Sequence, residues 1–242
     1  MKTVFHEAKL RGYADHGWLK SHHSFSFAGY FNPDRIHFGT LRVLNDDFVE
    51  GGMGFGKHPH KNMEIISIPL EGDLQHGDDM GNSGIIRRGD IQVMSAGRGV
   101  IHSEKNANSD RPVKFLQIWI YPDTENVAPR YDQINYLANR VENGFQQVVS
   151  PDRDDAGAWI HQQAWFSLGN FRKGLKGTYN IHREGNGAYV FVISGEIGIG
   201  AYTLKDRDAL GIWDTAGFEI EAQKDAEFLV MDIPMELPDF AT

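Results

Sequence analysis

The sequence contains no cysteine, which removes disulfides, thiolate nucleophiles and sulfur-ligated zinc or iron–sulfur centres together. Any metal held by this chain must therefore rest on nitrogen and oxygen donors. No uninterrupted apolar run reaches membrane-spanning length, and the opening Met1-Lys2-Thr3-Val4-Phe5-His6-Glu7 has no apolar signal core. A cytoplasmic protein without a membrane partner is the expectation. Positive charge is also scarce: 24 Lys and Arg against 33 Asp and Glu leave a formal net charge of -9. Nothing then supplies the counterion release that drives nucleic-acid binding, so direct contact with nucleic acid is not expected. Helical periodicity is the last thing in short supply.

Alternation takes its place. Period-2 stretches occur at 40–44, 64–70, 89–94, 113–121, 188–193, 209–213 and 227–233. Turn signals separate them, such as Asn32-Pro33-Asp34, Glu71-Gly72-Asp73 and Ser194-Gly195-Glu196. Short, regularly punctuated strands indicate an all-β protein built as a sandwich or barrel. An internal repeat refines this: "IISIPLEGDLQH" at 65–76 resembles "YVFVISGEIGIG" at 189–200, each an apolar strand entering a glycine turn and leaving as another strand. Two related barrels are expected, one over 1–130 and one over 145–242, with the polar 130–142 stretch as a crossover or short helix. A monomer is the expected assembly.

The chemistry concentrates in two pairs. His58 and His60 lie at i and i+2, so on one strand they share a face, and His102 and Glu104 repeat that spacing after Gly97 and Gly99. On facing strands, the two pairs would converge three imidazoles and a carboxylate on one point. Such a donor set suits Fe(II), Mn, Co, Ni, Cu or Zn and leaves coordination positions open. If the strand runs on from His60, parity adds Glu64, Ile66, Ile68 and Leu70 to the same face. Phe25, Phe27 and Phe55 are candidates to line a flat apolar pocket beside it. His22, His23, His37, His76, His161 and His182 lack such partners. Asp46-Asp47 and Asp78-Asp79 read as turn-capping or solvated pairs.

The pattern Gly52-x5-His58-x-His60-x3-Glu64-x7-Gly72, then Gly89-Asp90 and Gly97-Arg98-Gly99-x2-His102, resembles the paired motifs of the cupin superfamily. "FGKHPHKNMEI", "EGDLQH", "MSAGRGVIHSE" and "LQIWIYP" resemble the pirin family more narrowly. "HGWLKSHHSFSFAGYF" and "LRVLNDD" are similar to the bacterial pirin-like quercetin dioxygenases. The resemblance implies a bicupin, two jelly-roll barrels of which only the N-terminal one binds a single divalent metal, with Fe(II) the first expectation. It implies His58, His60, His102 and Glu104 as ligands, and Glu64 as a group behind them. Ungapped alignment of the second barrel places Ile181 and Arg183 at the positions of His58 and His60, and Ile220 at that of His102, so that barrel should be empty. The implied activity is metal-dependent cleavage of a flavonol by O2 with release of carbon monoxide, Glu104 taking the substrate proton. The alternative is a pirin-type metal-binding redox sensor or transcriptional co-regulator that acts through protein partners.

Overall fold

A computed structural model describes residues 1–241. It contains strands and three short 3-10 turns, and no α-helix among those residues. The strands before the crossover are β1 (Lys2–His6), β2 (Gly12–Asp15), β3 (Leu19–His23), β4 (Leu41–Val49), β5 (Gly54–His60) and β6 (Glu64–Glu71). They continue as β7 (Asp73–Asp78), β8 (Ser83–Arg87), β9 (Asp90–Ser95), β10 (Val100–Asn106), β11 (Val113–Ile120) and β12 (Arg130–Asn135). The second half holds β13 (Phe145–Ser150), β14 (Ala158–Trp159), β15 (Trp165–Phe171), β16 (Lys176–Asn180) and β17 (Asn186–Ser194). It ends with β18 (Glu196–Ile199), β19 (Tyr202–Lys205), β20 (Ala209–Trp213), β21 (Gly217–Ala222) and β22 (Ala226–Pro234).

Each barrel is a seven-stranded sheet facing a four-stranded one, and the orders match term by term. The large sheets run β12-β9-β6-β11-β4-β3-β2 and β1-β20-β17-β22-β15-β13-β14; the small ones run β5-β10-β7-β8 and β16-β21-β18-β19. The repeat expected from sequence is therefore a repeat of topology. Its two glycine turns are equivalent: Gly72 and Gly195 both have positive φ, and a Cβ on either would meet a backbone oxygen, of Pro112 at 2.5 Å or Asp225 at 2.1 Å. Only glycine fits both demands.

The domain limits differ from 1–130 and 145–242. β1 pairs with β20 in the C-terminal sheet, Lys2 opposite Trp213, while β12 extends the N-terminal sheet as far as Asn135. The 130–142 stretch, expected as a crossover or short helix, holds the strand β12 and then the 3-10 turn Leu137–Asn139. Local alternation marks a strand but not its distant partner, which is why the exchange was not visible.

The two large sheets pack face to face. On β17, Tyr189, Phe191 and Ile193 belong to the core between barrels, whereas Ala188, Val190 and Val192 face the interior of their own barrel. The shared core takes Ile66, Ile68, Leu116 and Ile118 from one sheet and Phe166, Leu229 and Met231 from the other. At about 1.5–3 kcal/mol per buried large apolar side chain, this interface binds the halves into one folding unit. Phe25 lies in it, 1% exposed against Tyr189 and His6. The expectation that Phe25 lines a substrate pocket is thus corrected.

His6 sits in the same core with Nδ1 2.8 Å from the Tyr189 hydroxyl. Burial, helped by the charge of Arg35, pushes its pKa down to about 4. A histidine depressed in this way leaves stability untouched above its unfolded pKa of about 6.5 and erodes it as pH falls toward the folded value. His6→Gln should therefore lose about 2 kcal/mol less unfolding free energy between pH 7 and pH 4.5 than the wild type does. Urea titrations at both pH values test this; parallel losses would show that His6 charges freely in the fold.

Candidate metal centre

β5 and β10 are antiparallel neighbours with His102 directly opposite His58 and Val100 opposite His60. The ring centroids of His58, His60 and His102 form a triangle of 4.8, 4.4 and 4.8 Å. One ligand atom from each lies within 4.8 Å of the others, and this is the one such group of His, Asp or Glu among the described residues. Pro59, between two of these imidazoles, is tolerated because β5 is an edge strand.

The nitrogen atoms point to a missing partner. His60 Nε2 and both ring nitrogens of His102 are buried with no hydrogen bond, and buried polar atoms are rarely left so. His58 Nδ1 is held by the Gly56 carbonyl at 2.8 Å, which directs Nε2 as the free donor. Burial first, and the neighbouring imidazoles second, push His60 down to about 4 and His102 to about 2. Both rings are thus neutral at physiological pH, as metal ligation requires. The residues fit a divalent transition metal.

Glu104 stands apart from the triad. It is 2% exposed, with Oε1 3.1 Å from Ser67 Oγ and Oε2 3.0 Å from Gln117 Nε2. Burial pushes its pKa up to about 7, despite the hydrogen bonds from Ser67 and Gln117. A bulge between His102 and Glu104 sets it opposite Phe55 rather than opposite the next residue in strict register.

Glu64 is a correction. The chain turns at Lys61 to Met63, with Asn62 at φ 47°, and leaves the small sheet for the large one. The parity therefore resets: Met63 and Ile65 pack with Val100 and Trp119, while Ile66 and Ile68 enter the core between barrels. Glu64 itself accepts from Ser95 Oγ at 2.7 Å, with its Oε1 left unpaired, and burial pushes its pKa up to about 8. It faces the second barrel, away from the histidines.

Beside His58 lies a cavity of about 140 Å³, lined by Phe27, Phe55, Trp119, Glu104 and residues of β3 and β4. A more open shelf of about 460 Å³, with Trp18, Lys57 and His60, adjoins it. Phe27 packs edge-on to Trp119 at 5.4 Å and Phe55 against Trp18 at 5.4 Å, so both stand where a pocket residue should. Behind the cavity, one register row crosses the inner face of the large sheet: His23, Asn45, Gln117, Ser67, Gln92 and Gln133. Alternation gives no warning of such a row, because each strand contributes a single polar residue to it. Asp47, read as a solvated turn residue, is a buried mid-strand residue of β4. His76 is also buried, bonded to Asp78 at 3.0 Å and with its ring 5.4 Å from that of His102.

Among the described residues the second barrel has no counterpart. Ile220 and Phe218 fill its interior, with Ile181 packed against them, where the first barrel carries histidines. His182 instead binds the buried Asp232 at 2.8 Å and stacks on Trp165.

Comparison with known proteins agrees with this architecture. Residues 4–120 match the Pirin family model, and residues 147–233 match that of the quercetinase C-terminal cupin domain. The quercetin 2,3-dioxygenase of Escherichia coli K12 is 40% identical over 228 residues, covering 94% of this chain and 97% of that protein. The chain belongs to the pirin family. A pirin-like protein of Caulobacter vibrioides is 38% identical across 93% of the chain and 96% of its own length. The crystal structure of the Escherichia coli bacterial pirin YhhW in complex with nickel(II) superposes with a TM-score of 0.91 at 38% identity, covering 96% and 99% of the two chains. The match spans both barrels, and this chain's histidine triad lies in the first.

Proposed function

We propose that this pirin is a metal-dependent dioxygenase that opens the heterocycle of a flavonol with O2 and releases carbon monoxide. The observation that carries the reading is the convergence of three imidazoles, two of them with buried nitrogens that have no hydrogen-bond partner, beside an aromatic-lined cavity. The name of the Escherichia coli relative supplies the substrate class. His58, His60 and His102 would hold the metal, with Glu104 completing the donor set. When bound, a divalent cation supplies charge that stabilises the substrate's deprotonated enol oxygen.

The remaining tasks fall to the chain itself. Glu104 lines the same cavity as His58 and is a carboxylate placed there to accept the 3-hydroxyl proton. Ser67 and Gln117 hold its two oxygens and so fix its orientation. Phe27, Phe55 and Trp119 offer flat faces that orient an aromatic substrate and exclude water. In the overall reaction two carbon–carbon bonds of the heterocycle break, the carbon between them leaves as carbon monoxide, and both oxygen atoms of O2 enter the depside product. Aerobic incubation of metal-quantified protein with quercetin should consume the flavonol and release one carbon monoxide per molecule consumed. Protein with a filled site that leaves quercetin unchanged would refute the assignment.

A further inference from the structure

One wall of the inner cavity is not used by the metal chemistry. Ser21 and His23 on β3 stand directly opposite Asp47 and Asn45 on β4, and all four are buried. Ser21 Oγ donates to Asp47 Oδ1, and His23 Nδ1 lies 2.9 Å from Asn45 Oδ1. With the Asn45 oxygen accepting, Nδ1 carries the ring proton and His23 Nε2 is left as an acceptor. Asp47 Oδ2 likewise receives no donor among the described residues. Neither atom is among the fully occluded ones, and both residues line the cavity. Asp47 is only 5% exposed, so it presents a carboxylate oxygen to the cavity and almost nowhere else. Two buried acceptors with no donor call for a ligand that brings two.

The cavity's size restricts that ligand. At about 140 Å³ it is close to the roughly 150 Å³ engineered cavity in another protein that admits benzene. It holds one six-membered aromatic ring, and the flat faces of Phe27, Phe55 and Trp119 suit one. A fused two-ring system does not fit and must lie on the adjoining shelf.

We infer that this cavity receives the pendant ring of the substrate, and that Asp47 and His23 are specificity-determining residues that accept hydrogen bonds from two hydroxyls on that ring. The inference rests on the flavonol reading above. In a flavonol the pendant ring is carried by the carbon next to the one bearing the 3-hydroxyl. Anchoring that hydroxyl at the histidine triad brings the ring alongside His58, which lines the same cavity. A bare ring would leave both acceptors desolvated and unpaired, which disfavours its binding.

The test compares quercetin with galangin, which has the same fused rings but no hydroxyls on the pendant one. Anaerobic binding and aerobic turnover are measured on metal-loaded protein. Wild type should prefer quercetin about 100-fold in both Kd and kcat/KM. Asp47→Asn, and independently His23→Phe, which keeps a ring between Phe27 and Tyr30, should reduce that preference below about 10-fold, chiefly through KM and at unchanged metal content. Equal use of the two flavonols by the wild type, or full preference retained in both variants, would overturn the inference. If neither flavonol is consumed but the binding preference is present and lost in Asp47→Asn, the subsite stands and the ring-cleavage assignment falls. If neither is bound, both fall.

Discussion

His60→Ala should lower the metal content of purified protein from near one per chain to less than about a tenth of that, with activity falling in proportion. The triad supplies three imidazoles from two strands, and the two that remain, with Glu104, hold an exchangeable divalent cation too weakly to keep it through purification. A second readout separates metal loss from unfolding. Ligand that binds only the folded state raises the melting temperature by mass action. Added nickel should therefore raise that of the wild type and leave that of His60→Ala where it is. His182→Ala provides the contrast, since His182 is committed to Asp232 in a barrel whose interior is apolar. Metal content should be unchanged there. Loss of metal in His182→Ala, or full occupancy in His60→Ala, would place the centre elsewhere.

The two buried carboxylates should separate just as sharply. Glu104→Gln keeps the size of the side chain but turns one of its two accepting oxygens, held by Ser67 and Gln117, into a donor, and removes the charge and the proton acceptor. Turnover should fall by at least about 100-fold, the lower end of what general acid–base groups contribute, and metal affinity should weaken with it. Glu64→Gln should change activity less than about three-fold, because Glu64 contacts Ser95 and the second barrel rather than the triad. Its effect is on stability. A carboxyl raised to about 8 in the fold, from 4.5, contributes stability below pH 4.5 that is lost as pH rises toward 8. Glutamine has no proton to lose, so Glu64→Gln should melt higher than wild type at pH 7 to 8. Metal loss in Glu64→Gln with retention in Glu104→Gln would reverse the roles of the two residues.

The sequence and the structure agree most closely where a signal is local. β20 occupies the 209–213 stretch that alternation marks, and the spacing of His58, His60 and His102 suffices to bring them together. Agreement fails where one face must be told from another. Because the large sheets are buried on both sides, parity from His60 puts Glu64 on the ligand face and Ser67 off it, whereas Glu64 and Phe25 face the other barrel and Ser67 faces the site. A usable signal did exist at Lys61-Asn62: asparagine readily adopts a left-handed conformation, and the turn there resets the parity that misplaced Glu64. Asp47 was missed because two adjacent aspartates resemble a solvated turn, yet β4 runs through both to Val49. Asp46 points the other way, to Arg11 and Arg207.

The pairing of β1 with β20 also orders events during synthesis. Lys2 is translated more than two hundred residues ahead of Trp213, the residue it must face. At about 5–20 residues per second, β1 waits roughly 10–40 s for its neighbour. The first barrel has all of its own strands once β12 has emerged, and it can close while β1 hangs free. Until β20 arrives, β1 is an unpaired strand beside a nascent chain, with Phe5 and Val4 uncovered, and it is the segment a chaperone would reach most easily.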